Sequence, residues 1–257
     1  MSTPSLPRTP SLRLDGRRAL VTGAGRGIGL AAAVALADAG AAVTLVARTS
    51  SEIEAAAAAI RSAGGKAEST LLDVTSLEAV RAFFSAQPAF HVVVNNAGTN
   101  RPKPVTEVTE ADYDAVMNLN VKSAFFVAQA AAQQMIAEGV AGSLIHMGSQ
   151  MGHVGGVNRS LYCASKWALE GLNKALAIDL APYGIRSNTI APTFIETPLT
   201  RPFFADPDFH RQVLSKIKLG RVGQIEDLMG PVLLLASDAS ALMTGSSLLI
   251  DGGWTAD

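Results

Sequence analysis

The chain has little of several things, and each shortage removes a class of function. It holds one cysteine, Cys163, which leaves no disulfide framework and no cysteine-based metal cluster, and suits a reducing, cytoplasmic setting. Its charges nearly cancel, 21 basic against 22 acidic residues with no basic stripe, which argues against a nucleic-acid footprint. No apolar run approaches the length that crosses a bilayer. Residues Met1 to Ser11 carry Pro4, Pro7 and Pro10 and lack the apolar segment of a signal peptide; residues 1–13 are expected to be a frayed, flexible lead-in. No internal repeat is present. What remains is a chain of 257 residues, 48% apolar, enough for a single α/β domain over 14–257 with a large buried core.

Short apolar runs alternate with helical patterns along that domain. Strands are predicted at 18–22, 42–47, 66–72, 91–95, 143–148, 185–191 and 247–250. Helices are predicted from the glycine turn to about Gly40, at 52–63, at 111–137 and around Tyr162. This order predicts a single doubly wound, Rossmann-type parallel sheet of seven strands with helices on both faces. Ligands of such sheets sit at the carboxyl ends of the strands.

The chemistry-bearing residues fall at those ends. Gly23, Gly27 and Gly29 form a G-x-x-x-G-x-G turn between a strand and a helix. Glycines let the backbone approach a pyrophosphate, and the helix start supplies N–H groups; a plain tight turn is the alternative. An acid at the end of the second strand would select NAD, but Ala47 and Arg48 stand there and Arg26 lies in the glycine turn. Two guanidinium groups suit a 2′-phosphate and favour NADP(H) over NAD(H), unless both are solvated surface charges. Asp73 ends the third strand, placed either to accept from an adenine amino group or to cap the next helix. Asn95-Asn96-Ala97-Gly98 ends the fourth. The long helical segment carries Asn118 and Asn120, either of which could be a site residue or a buried amide. The fifth strand delivers Ser149. Tyr162 and Lys166 lie four residues apart, on one face of a helix; an ammonium beside the phenol would lower its pKa and make it a proton donor and acceptor near neutrality. Residues 193–219, with Pro198, Pro202 and Pro207, read as a long irregular segment and a mobile substrate lid.

Together these motifs resemble the short-chain dehydrogenase/reductase family, from about Leu14 to Trp254. The resemblance rests on Thr22-Gly-x-x-x-Gly-x-Gly29, Asn95-Asn-Ala-Gly98, the helical Asn120, Ser149, and Tyr162-x-x-x-Lys166 thirteen residues after that serine. It implies that Tyr162 is the general acid/base, Lys166 tunes it and holds the nicotinamide ribose, Ser149 positions the substrate oxygen, and Asn120 anchors a water beside Lys166. It implies cofactor contacts at Gly23, Arg26, Gly27, Ile28, Gly29 and Arg48, at Asp73 and Val74 for the adenine, and at Asn95, Ala97 and Gly98. Tyr162, Lys166, Pro192, Ile195 and Thr197 would face the nicotinamide half. Similar proteins are tetramers joined through the helices that carry Asn120 and Tyr162. This sequence departs from the family pattern at Thr193, where glycine is usual, and at Gly148, where a second serine is common.

The pocket rim is expected to be polar and cationic. Arg101, Gln150, His153, Arg159 and Arg201 are the candidate substrate residues, with Asn100, Met151 and Asn158 near them. Such a rim suits anionic or polyhydroxylated small molecules. Asn100-Arg-Pro-Lys-Pro104 also resembles the gluconate and deoxygluconate dehydrogenase branch. The leading expectation is an NAD(P)-dependent dehydrogenase of a secondary alcohol in a sugar, sugar acid or polyol. The alternatives are a 3-oxoacyl thioester reductase on the same scaffold and a non-catalytic dinucleotide-binding protein.

Overall fold

The structure is a computed structural model that describes residues 5–198 and 200–256. Residues 1–4 of the expected lead-in and Leu199 of the expected lid lie outside the described residues. Residues 5–13 are exposed and carry no helix or strand, and Leu14 is the first buried side chain.

Seven parallel strands form one sheet in the order β3-β2-β1-β4-β5-β6-β7. They are β1 (Arg18–Thr22), β2 (Ala42–Ala47), β3 (Lys66–Leu71), β4 (Val92–Asn95), β5 (Ser143–Met147), β6 (Arg186–Pro192) and β7 (Ser247–Ile250). The expected strands fall within one residue of these at each end. The central strands are buried on both faces, which is why they read as continuous apolar runs. Their side chains still divide by alternation. Ala19, Val21, Val92, Val94 and Ile145 face one core with α1 (Gly27–Asp38), α2 (Ser50–Ser62) and α9 (Met229–Ala236). Leu20, Val93 and Leu144 face the other, with α3 (Leu77–Ser85), α5 (Ser123–Glu138) and the end of α6 (Ser160–Leu180). The strand order reverses between β1 and β4. That switch point opens a crevice beyond the carboxyl ends of the strands.

Two expectations need correction. The segment 111–137 is not one continuous α-helix. It is α4 (Glu110–Met117), a π-helical turn over Asn118–Lys122, and α5. Ser123 donates its backbone N–H to the Asn118 carbonyl, five residues back. The wide turn re-aims Asn120, a use of π-turns that recurs at functional sites. Nor is the segment after β6 irregular. It holds α7 (Arg201–Phe204) and α8 (Pro207–Lys216). Pro202 and Pro207 sit in the first turns of these helices, where a missing N–H costs nothing. The prolines therefore start helices here. Phe194 packs its ring against Phe209 and Trp254 at 5.7 and 5.8 Å, which ties the segment to the C-terminal turn.

Candidate active site

A cleft of about 480 Å³ runs along the carboxyl ends of the strands. The turn after β1 forms its first wall. Gly23 and Gly27 have φ of +64° and +57°, a left-handed backbone that glycine adopts without strain. Gly29 is set by close approach: a Cβ there would lie 2.3 Å from the Gly23 carbonyl oxygen and 2.5 Å from Asn96 Nδ2. The residue before α1, Arg26, is extended and its side chain bonds none of the first-turn N–H groups. Those donors and the helix dipole point into the cleft, as an anion requires.

Arg26 and Arg48 line the same end. Arg26 Nη1 lies 3.4 Å from Glu52 Oε1, in an exposed pair of little energetic weight. Asp73 also lines the cleft, and its Oδ1 accepts from the Thr75 N–H and hydroxyl at 2.9 and 2.7 Å. It does not cap the next helix; Ser76 does, accepting from the Ala79 N–H.

At the other end Ser149, Tyr162 and Lys166 converge. The Ser149 hydroxyl accepts from the Met151 N–H at 3.1 Å, which fixes the turn after β5. Lys166 is buried and donates to the Met147 carbonyl at 2.7 Å. Its Nζ lies 5.5 Å from the centre of the Tyr162 ring. The expectation that Lys166 depresses the Tyr162 pKa does not hold in this structure. Burial raises the phenol above its ordinary value, opposed by a hydrogen bond with Ser149 and by the charge of Arg159. Burial also brings Lys166 down to about 8, against the pull of Glu170 one turn further along α6. Tyr162 is thus a protonated phenol at neutral pH, ready to donate.

Glu170 explains the departure at Gly148. Its carboxylate is buried, accepts from the Thr189 hydroxyl at 2.8 Å, and has Oε1 otherwise unbonded. A Cβ on Gly148 would come within 2.7 Å of that oxygen. The glycine makes room for the acid. Thr193 likewise places a buried, unbonded hydroxyl in the cleft wall.

Comparison with known proteins follows from this geometry. Residues 23–255 match a family model described as enoyl-(acyl carrier protein) reductase. A D-erythrulose reductase of Gallus gallus is 38% identical over 245 residues, 95% of this chain and 98% of the relative. The chain belongs to the short-chain dehydrogenase/reductase family. Members are nicotinamide-dependent oxidoreductases, and this chain is one of them. An L-xylulose reductase of Bos taurus is 37% identical, covering 95% of this chain and 99% of the relative. A gluconate 5-dehydrogenase of Burkholderia cenocepacia, solved with NADP and tartrate, superposes with a TM-score of 0.92 at 39% identity, covering 96% of this chain and 98% of that one.

In this dehydrogenase/reductase most of the residues expected at the cofactor do line the cleft: Gly23, Arg26, Gly27, Ile28, Gly29, Arg48, Asp73, Val74, Ala97, Gly98, Pro192, Ile195 and Thr197. Asn95 does not. It points into the core, donating to the Ala124 carbonyl at 2.9 Å. Strand alternation turns its neighbour Asn96 to the cleft instead, where its amide donates to the Thr22 and Gly23 carbonyls at 2.9 and 3.2 Å. Asn120 is buried behind the wall. It accepts from the Thr99 N–H at 2.8 Å and donates to the Thr99 carbonyl and Ser165 hydroxyl at 2.9 and 3.0 Å. It thereby pins the loop after β4 to α6.

Of the five candidate substrate residues only Gln150 and Arg159 line the cleft. His153 packs below it, 2.9 Å from the Ser247 hydroxyl and 3.5 Å from Glu170, because the turn after Ser149 directs it to β7. Arg101 turns to the buried Asp112 at 3.6 Å, and Arg201 pairs with Glu196 at 3.4 Å on the exposed side of α7. Glu170, Thr99 and Thr200 were not legible as site residues. Only the spacing of Glu170, four beyond Lys166 on one helix face, could have signalled it.

Proposed function

We propose that the enzyme interconverts a secondary alcohol and a ketone in a sugar, sugar acid or polyol, using NADP(H). The observation that carries this is one cleft holding an uncapped helix start after a glycine turn at one end and Ser149, Tyr162 and Lys166 at the other. The cofactor, when bound, supplies or accepts the hydride. The first turn of α1 would hold the pyrophosphate, and Thr193 and Thr197 would stand at the nicotinamide end. Ser149 holds the substrate oxygen, and Tyr162 gives that oxygen its proton in reduction and takes it back in oxidation. Lys166 holds the ribose and lends its charge when the phenol ionises. Asn120 acts as a positioning residue for this set. Residues 193–219 close over the cleft as a lid.

The three relatives, named for erythrulose, xylulose and gluconate, support a polyhydroxylated substrate. So do the amide-bearing residues Asn100 and Gln150 of the cleft wall. Cofactor absorbance followed over sugar acids, polyols and acetoacetyl thioesters tests this; turnover on the thioester alone would overturn it.

The choice of NADP rests on Arg48 and Arg26 where an NAD-selecting acid is missing, and on the NADP bound in the Burkholderia relative. Arg48→Ala is expected to weaken NADPH by about 10- to 100-fold while NADH changes little, since a charge-assisted bond contributes about 1.5–3 kcal/mol. Equal effects on both cofactors would end the assignment. We also infer a cytoplasmic homotetramer. The single thiol supports the location, and Phe125, Trp167 and Ile178 support the assembly, exposed on α5 and α6 although apolar. Light scattering should give four times the chain mass, falling for the double variant Trp167→Glu, Ile178→Glu.

A further inference from the structure

Arg159 is a buried cation without an anion. It stands one residue before α6, lines the cleft and is 8% exposed. Its guanidinium makes one long bond, 3.5 Å, to the Asn158 carbonyl and lies 6.0 Å from the centre of the Phe203 ring. Among the described residues no carboxylate lies within ion-pair distance of it. The acidic residues of the cleft wall, Glu52 and Asp73, belong to the other end, after β2 and β3. A desolvated charge with no partner is unfavourable, and its retention in a cleft points to an anion that arrives with the ligand.

The backbone also holds this side chain in place at a cost. Asn158 has φ of +57°, the sole non-glycine residue with positive φ among those described. Asparagine is one of the few side chains that tolerate that conformation. The Asn158 carbonyl accepts from the Lys103 N–H at 3.1 Å, and the Arg159 N–H donates to Gly156 at 3.2 Å. The loop is thus tied down on both sides of the strained residue, and strain of this kind collects at ligand clamps.

The rest of the wall specifies what accompanies the anion. Gln150 Oε1 and Asn100 Oδ1 are buried acceptors with no donor. Both residues line the cleft, which makes the wall at this end polar. Arg159 immediately precedes α6, three residues before Tyr162, and both line the cleft, so an anion on Arg159 lies at the catalytic end.

We propose that Arg159 anchors the carboxylate of a hydroxy or oxo acid, whose hydroxyls face the polar wall that includes Gln150 and Asn100 while its carbinol oxygen meets Ser149 and Tyr162. This rests on the dehydrogenase reading above and narrows it: acids are the substrates, and neutral ketoses and polyols are the poorer ligands. The carboxylate takes no part in the redox step. In oxidation the carbinol C–H bond breaks as hydride to the oxidised nicotinamide, and the O–H proton passes to Tyr162.

The test is calorimetric titration of NADP⁺-loaded protein with hydroxy acids from D-glycerate to D-gluconate, each beside the polyol of the same chain length. At least one acid should bind wild type about 10-fold or more tighter than its polyol. Arg159→Gln should erase that gap and leave polyol binding unchanged, and Arg159→Lys should keep part of it. Unchanged NADPH affinity and melting temperature in Arg159→Gln would report an intact fold. The proposal is overturned if no acid exceeds its polyol in wild type, or if the gap survives in Arg159→Gln. A guanidinium that only stacks on Phe203 or tunes Tyr162 gives one of those two results. Binding does not require turnover, so the dehydrogenase reading fails separately, through full activity in a Tyr162 variant.

Discussion

Tyr162→Phe is expected to cut turnover by about 10³- to 10⁴-fold while NADPH binds within about 3-fold of wild type. The substitution removes one oxygen and leaves the ring against its neighbours, so the fold and cofactor walls stay as they are. What is lost is the only phenol of the cleft wall among the described residues. The pH dependence follows from its raised pKa. A phenol held above its ordinary value stays protonated across neutrality, so reduction should be flat there and fall only in alkali. Oxidation needs the phenolate and should rise with pH until the phenol is ionised. Lys166, brought to about 8 by burial, loses its charge before the phenol ionises, which holds back that rise. Stopped-flow and steady-state rates in both directions, over a buffer series, read all of this. Residual activity in Tyr162→Phe near the wild-type level would remove Tyr162 from the proton path.

Gly29→Ala should be nearly as damaging, through a different link. Its Cβ would meet the Gly23 carbonyl oxygen at 2.3 Å, and that oxygen is backbone within the turn itself. No side-chain rotation relieves the clash; either the turn opens or α1 shifts from the sheet. Overpacking of this sort costs about 1–3 kcal/mol, and a backbone neighbour puts it at the upper end. Melting should fall by about 6–12 °C. NADPH affinity should fall by about 100-fold, because the displaced atoms carry the N–H groups that face the pyrophosphate. Thermal denaturation and fluorescence titration of NADPH measure the two effects. Wild-type values for both would mean that the turn is slack and not the rigid cradle described.

The sheet was legible because its central strands are short apolar runs buried on both faces and separated by helices, while the edge strands β3 and β7 are only partly buried. The catalytic face was legible for a similar reason: Tyr162 and Lys166 are one helical turn apart, and spacing alone aligns them. The rim was not. Arg101, His153 and Arg201 have the right chemistry and nearby positions, but each had a local partner of opposite or complementary character, Asp112, Glu170 with Ser247, and Glu196. A charged side chain on a loop goes to whichever partner the fold brings nearest, and those partners come from distant strands or the next helix turn. Arg159 stands apart because no such partner reaches it. Asn95 and Asn96 show the same limit at finer scale, since only the phase of β4 decides which of two identical side chains faces the cleft. The segment after β6 was misjudged because prolines that break a helix in its interior also begin one.

The pairing of Gly148 with Glu170 constrains how this sequence can change over time. The Cβ of a serine at 148 would meet the Glu170 oxygen at 2.7 Å, so the Glu170 carboxylate has to move to admit it. Loss of the acid removes the negative charge that opposes the burial of Lys166. The two positions share one contact, so substitutions at them are expected to be non-additive. What residue 148 can be thus depends on what stands at residue 170, twenty-two positions along the chain but one contact away.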